Sequence, residues 1–95
     1  MKWVNWFHHD DGTPRAMYRK ISEQAEIVLT ETFDGCEAKI VLKDNKIYHE
    51  KTFALETENK ITDTAIQAWA STKAICYLED LAKLADKTAK RLKDQ

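Results

Sequence analysis

The last third of the chain constrains the fold most, because no glycine or proline interrupts it from Thr62 to Gln95. Apolar residues recur there at helical spacing, and Thr62 or Asp63 can cap the first turn. A helix of about 30 residues is about 45 Å long. The strands predicted before it are shorter, at about 3.3 Å per residue. Part of the helix should therefore extend beyond the sheet.

The two halves of this predicted helix have different surfaces. Residues 65–78 are apolar on nearly every side, as in a helix buried on several sides, whereas residues 79–95 are amphipathic. Alternating spacings of three and four residues define a line that we call the heptad seam: Ala68, Ser71, Ile75, Leu78, Ala82, Ala85, Ala89 and Leu92. Leu81 and Leu84 widen it. Its small residues allow close helix approach, so we predict an interface of Ile75, Leu78, Ala82, Ala85, Ala89 and Leu92.

An antiparallel meander is predicted for residues 25–55, where apolar and polar residues alternate around two turn signals, Asp34-Gly35 and Asp44-Asn45. Counting from the first turn pairs Phe33 with Cys36, Leu29 with Ile40, and Ile27 with Leu42. Counting from the second pairs Leu42 with Ile47, Cys36 with Phe53, and Lys39 with Glu50. Both registers put the apolar residues on one face.

The first quarter of the chain is less clearly patterned. Residues 2–7 are rich in strand formers, and the aromatic residues Trp3, Trp6 and Phe7 on both faces indicate core packing, with one face able to meet a partner chain. Residues 13–24 fit two structures. The favoured one is a short helix, with Thr13 as its cap and Pro14 as its first helical residue. The alternative is a strand that follows a hairpin turn at Asp11-Gly12. The predicted fold is one α+β domain over residues 1–95, with a three- to four-stranded antiparallel meander followed by one long C-terminal helix.

Composition excludes several classes of protein. The net charge of −1 lacks the strong basic field of a protein that binds DNA mainly through phosphates. No apolar run approaches the about 20 residues of a membrane span, and the first residues do not have the pattern of a signal peptide. We therefore expect a cytoplasmic protein, in which Cys36 and Cys76 are reduced, packed thiols.

Three clusters of polar residues could carry chemistry. His8, His9, Asp10 and Asp11 are metal-ligand types, but neighbouring strand residues point to opposite sides, so a solvated turn is the favoured interpretation. The strand register places Glu31, His49 and Lys51 near one another on the inner face, as a row Glu31–Ala38–Lys51 beside His49. Either the helix leaves this patch uncovered, or Glu31 and Lys51 pair structurally, or the three residues form a polar pocket for a partner or ligand.

The third cluster is basic and lies at the end of the helix: Lys83, Lys87, Lys90, Arg91 and Lys93. Cations are favoured there by the helix dipole, so a solvated face is the simpler explanation. Contact with nucleic acid through Lys83, Lys87, Lys90 and Arg91 is the alternative.

No phosphate-binding loop or hydrolase motif is present, so we predict no catalytic residue, cofactor or metal. The favoured function is a small intracellular protein–protein interaction module, such as a regulator, an inhibitor or a phage accessory protein. It would act by binding, as a homodimer through its C-terminal helix or by contacting another protein. The alternative is a nucleic-acid-binding module that uses the basic end of that helix.

Overall fold

The computed structural model describes residues 3–55, 61 and 63–94. One antiparallel sheet contains five strands in chain order: β1 (Val4–His8), β2 (Pro14–Ser22), β3 (Ala25–Thr32), β4 (Gly35–Leu42) and β5 (Ile47–Ala54). A single helix, α1 (Thr64–Lys93), follows the sheet. The predicted α+β meander with a long C-terminal helix is thus confirmed, although the sheet has five strands rather than three or four.

The extra strand comes from the ambiguous segment 13–24, for which the favoured helix is wrong. Gly12 has a φ of +88°, which glycine adopts readily, and the Asp11 carboxylate accepts hydrogen bonds from the N–H and hydroxyl of Thr13 at 3.0 and 2.7 Å. These features close a hairpin. Pro14 then begins β2, at the end of a strand, where a missing N–H donor is tolerated.

β1 is irregular where it pairs with β2. The register shifts between Asn5 and Phe7, so Trp6 has no direct partner on β2. Trp3 packs against the core as expected, but Trp6 and Phe7 are 62% and 58% exposed, so core packing is wrong for these two. The predicted start of this strand, Lys2, lies outside the described residues.

β3 and β4 pair two residues away from the predicted register. Ile27 lies opposite Ile40 and Leu29 opposite Ala38, so the turn residues are Phe33 and Asp34 rather than Asp34 and Gly35. A shift of two residues keeps the same side chains on the inner face, because side chains alternate with a period of two. The predicted pairs were therefore wrong, while the predicted faces were right for the residues that stay in the strands. Phe33, predicted to pair with Cys36 on the inner face, instead lies in the turn and is fully exposed.

The predicted pairing of β4 with β5 is confirmed along most of its length. Cys36 faces Phe53 and Lys39 faces Glu50. The register then shifts, and Val41 rather than Leu42 faces Ile47. The intervening Tyr48 has no direct partner on β4, as in a β-bulge, which re-aims the side chain that it carries.

The core lies between the inner face of the sheet and the first half of α1. Its fully buried members include Leu29 and Ile40 from the sheet, Ile61, and Ile66 from the helix. The molecule measures 59 × 21 × 20 Å, and its radius of gyration is 16.0 Å. A compact chain of this length would have a radius of about 12 Å. The excess arises because the end of α1 extends past the sheet.

Candidate protein–protein interface on the C-terminal helix

The start of α1 is held firmly against the sheet. The Asp63 carboxylate caps the helix by accepting hydrogen bonds from the N–H groups of Ala65 and Ile66, at 2.9 and 3.4 Å. The other predicted cap, Thr62, lies outside the described residues. The Gln67 side chain donates to the carbonyl of Ile61 at 3.1 Å, which ties the first turns to the preceding segment.

Aromatic contacts with β5 hold the first half of α1 in place. Trp69 meets Phe53 edge to face, with ring centroids 6.0 Å apart. Tyr77 meets Tyr48 in the same way at 5.2 Å, and the Tyr48 hydroxyl donates to the carboxylate of Asp80. The bulge in β5 is what brings Tyr48 to this position. Docking of the helix on the sheet therefore ends at about Asp80.

Beyond this point the helix has no cover. Every residue from Leu78 to Asp94, a segment that we call the overhang, is exposed. Its leucines are between 41% and 65% exposed: Leu78, Leu81, Leu84 and Leu92. About 13 helical residues follow Asp80, a length at which an isolated helix is only marginally stable in water, and most helices in proteins are stabilised by packing of an apolar face. At the start of the overhang, Asp80 bonds Tyr48 and Leu78 lies beside the sheet. Beyond Asp80 the overhang has an apolar face but no packing partner within the described chain.

The heptad seam lies on a flank of the helix that the sheet does not cover. All of its eight residues, from Ala68 to Leu92, are exposed, and Ile75 retains 56% of its surface. By helical geometry the seam lies roughly 125° around the helix from the sheet-facing residues Ile66 and Ala70. The structure therefore leaves the six predicted interface residues, Ile75, Leu78, Ala82, Ala85, Ala89 and Leu92, open to solvent.

Charged residues occupy the opposite side of the overhang. Two pairs of opposite charge are spaced by four residues and so lie side by side on one face of the helix: Glu79 with Lys83, and Asp86 with Lys90. The predicted nucleic-acid contacts are all exposed: Lys83, Lys87, Lys90 and Arg91. The overhang carries five basic and four acidic side chains, which leaves a net charge of only +1. Its basic residues are therefore largely balanced by adjacent carboxylates.

The predicted row Glu31–Ala38–Lys51 does not form. Ala38 does face Lys51, but Glu31 lies opposite Cys36 because of the shift between β3 and β4. The Lys51 ammonium lies 5.0 Å from the centre of the Phe53 ring, a cation–π geometry.

His49 stays opposite Ile40, as predicted, and its ring meets Tyr48 edge to face at 4.5 Å. Burial lowers the pKa of His49, and the positive charge of Lys73 on α1 adds to this effect. Both effects favour the neutral form of the imidazole.

Glu31 has a partner that the sequence did not indicate. The Nε2 atom of His9 lies 2.6 Å from a carboxylate oxygen of Glu31, which is 17% exposed. Two side chains of the turn His8 to Asp11 therefore have partners within the chain. His9 contacts Glu31, and Asp11 accepts hydrogen bonds from Thr13. Within the described residues, no group of three or more potential metal ligands comes together.

The structure adds a groove that the sequence did not reveal, between β2 and the seam side of α1. It has a volume of about 280 Å³ and is lined mainly by apolar side chains, among them Ile21, Ile27, Ala74, Ile75 and Leu78. The sequence could not show it, because one wall is the strand that the favoured interpretation made a helix. The turn signal Asp11-Gly12, which makes this segment a strand, was the available indication.

Both cysteines are free thiols, as predicted, and they differ in environment. Burial is the largest cause that raises the pKa of the Cys36 thiol to about 11, and the nearby carboxylates of Glu31 and Glu37 raise it further. Cys76 lies partly exposed on the helix. Cys36 should therefore be chemically inert in the folded protein.

We expect the two thiols of the native protein to react with Ellman's reagent at very different rates at pH 8. A rise in pKa from 9.0 to about 11 lowers the thiolate fraction about 100-fold, and burial restricts access further. Absorbance should show one fast phase, which the Cys76→Ser substitution removes, and one slow phase from Cys36. Two phases of equal rate would contradict this assignment.

Comparisons with protein-family models, curated proteins and solved structures find no match to the chain. Among the described residues, no helix is both long enough and apolar enough to span a membrane.

Proposed function

We propose that this protein is a small interaction module that acts by binding, and that it works as a homodimer through its C-terminal helix. The observation that carries this proposal is the exposure of every residue from Leu78 to Asp94 on a helix with one apolar side. Contiguous apolar surface on this scale is typical of a binding site.

The size of the exposed surface suits a second copy of the chain. The large seam and overhang side chains are between 41% and 65% exposed: Ile75, Leu78, Leu81, Leu84 and Leu92. With the alanines between them they form an apolar strip about 26 Å long on each copy. A standard interface buries about 800 Å² per partner, which a strip of this length paired with its copy can approach. The alanines allow two helix backbones to approach closely, and the charged side of each helix remains in solvent.

Light scattering across a concentration series tests the proposal. The expected mass is twice the 11.0 kDa of one chain. A mass of 11.0 kDa at every concentration would reject the homodimer, and the seam would then be a surface for a different protein.

Nucleic-acid binding is the second candidate, favoured by the exposure of Lys83, Lys87 and Lys90 along one side of the overhang. Anisotropy of labelled duplex and single-stranded oligonucleotides over a salt series separates the two candidates. An affinity that falls steeply with salt, and less steeply after Lys87→Gln and Arg91→Gln, would support this candidate. No binding at low salt would dismiss it. The net charge of +1 on the overhang leads us to expect the second outcome.

A further inference from the structure

The heptad seam is symmetric about position 80. Three of the four pairs equally distant from this position join a large side chain with a small one: Ile75 with Ala85, Leu78 with Ala82, and Leu92 with Ala68. The fourth pair, Ser71 with Ala89, joins two small ones. Two antiparallel copies related by a two-fold axis beside Asp80 would bring these pairs face to face. Close-packed interfaces favour such alternation, because a large side chain fills the space that a small one leaves.

A parallel pair of helices would pack less evenly. Each seam residue would then meet its own copy, so Ile75 and Leu78 would form two thick layers, followed by three thin layers at Ala82, Ala85 and Ala89. Two straight helices separated by 8–10 Å cannot suit both kinds of layer along one line. The sequence of the seam therefore favours the antiparallel arrangement.

The groove beside α1 independently points to an occupant on the same side. A five-stranded sheet is about 19 Å wide, whereas one helix is about 10 Å wide and covers about half of it. The helix packs on β4 and β5, and the groove lies on its other flank, over Ile21 of β2 and Ile27 of β3. Ile75 and Leu78 belong both to the groove wall and to the heptad seam. A helix that packs along the seam therefore also lies over this groove.

We infer that a second copy binds antiparallel, centred on Asp80, so that the overhang of each chain fills the groove of the other. A two-fold axis perpendicular to two antiparallel helices leaves both sheets on the same side of the helix pair. Leu84 lies five full turns after the sheet-facing Ile66, and Leu81 lies three turns after Ala70. Both leucines are therefore directed towards the partner's sheet, at Ile21.

The inference rests on the proposed homodimer and adds to it the orientation, the register and a second contact surface. Each overhang, exposed in a single chain, would gain both a helix and part of a sheet as neighbours. The exposed leucines that the seam alone does not use, Leu81 and Leu84, are then covered as well.

Distances between nitroxide labels test this arrangement. In a Cys76→Ser background, the label is placed at Lys90→Cys in one protein and at Glu79→Cys in another, both on the charged side of the helix. In the antiparallel dimer the two labels at position 90 are about 30 Å apart along the helix axis, and those at position 79 only about 3 Å apart. Double electron–electron resonance should therefore give a much longer distance at position 90 than at position 79.

The outcomes separate this inference from the homodimer itself. Light scattering is measured on the same labelled samples. A dimer with equally short distances at positions 79 and 90 is a parallel pair, which overturns the inference and leaves the homodimer standing. A mass of one chain overturns both.

Discussion

Replacement of Ala82 and Ala85 by glutamate is expected to convert the dimer into a monomer. Both alanines are exposed in the single chain and both lie in the heptad seam, so the Ala82→Glu, Ala85→Glu variant places four carboxylates in the proposed dimer interface. A charge buried without a partner costs several kcal/mol, and these carboxylates would face the apolar Leu78 and Ile75 of the other copy. We expect dimerisation to weaken at least about 100-fold, which corresponds to about 2.7 kcal/mol. The light-scattering mass should fall to 11.0 kDa.

The fold of the single chain should not change, because neither alanine packs against the sheet. Circular dichroism should keep its helical signal apart from partial fraying of the overhang. Glutamate is a good helix former, so any large loss of helix would come from the missing partner rather than from residue propensity.

Lys87→Glu provides a matched control. It changes the net charge by −2, as the double substitution does, but it lies on the charged side of the helix. This variant should remain a dimer. If it dissociates as fully as the seam variant, overall charge rather than the seam controls association. If the seam variant keeps the mass of the wild-type dimer, the interface lies elsewhere.

The helix and its seam could be predicted because helical periodicity is a local property of the sequence. The length of an uninterrupted helix follows directly from the absence of glycine and proline after Thr62. The helix is longer than the strands because it has far more residues, even though a helix rises about 1.5 Å per residue and a strand about 3.3 Å. The exposure of the overhang needed no knowledge of long-range contacts, since the sheet is too short to reach it.

Helical periodicity could not decide whether residues 13–24 form a helix or a strand. Met17, Ile21 and Ala25 are spaced by four, which suits one face of a helix, but a spacing of four is also a multiple of two and suits one face of a strand. The competing signals, Thr13-Pro14 as a helix start and Asp11-Gly12 as a turn, were equally local. In the structure the second signal prevails, because β2 gains two hydrogen-bonded neighbours, β1 and β3.

The candidate polar pocket failed for a different reason. Face assignments survive a register shift of two residues, but individual cross-strand neighbours do not. Glu31 therefore lies opposite Cys36 rather than the predicted Ala38, whereas His49 lies opposite Ile40 as predicted. The contact of Glu31 with His9 depends on a strand pairing that the sequence left open.

Gly35→Ala is expected to cause the largest loss of stability of any substitution considered for this chain. An added Cβ would overlap the carbonyl oxygen of Phe53, which belongs to the backbone of the neighbouring strand β5. A flexible side chain could move aside, but this oxygen cannot move without separating β4 from β5. We expect a loss of roughly 3–5 kcal/mol in the free energy of unfolding, a size reached only by severe defects in a core or backbone.

Gly12→Ala is the matched comparison, since it adds the same methyl group at the only other glycine. Gly12 lies in an exposed turn where an added Cβ has nothing within 4 Å, but its φ of +88° disfavours alanine. That strain should cost only about 1 kcal/mol. Urea denaturation in the Ala82→Glu, Ala85→Glu background keeps dimer dissociation out of the measured free energy. Equal losses for the two substitutions would show that the close approach of Phe53 to Gly35 does not limit the packing of β4 on β5.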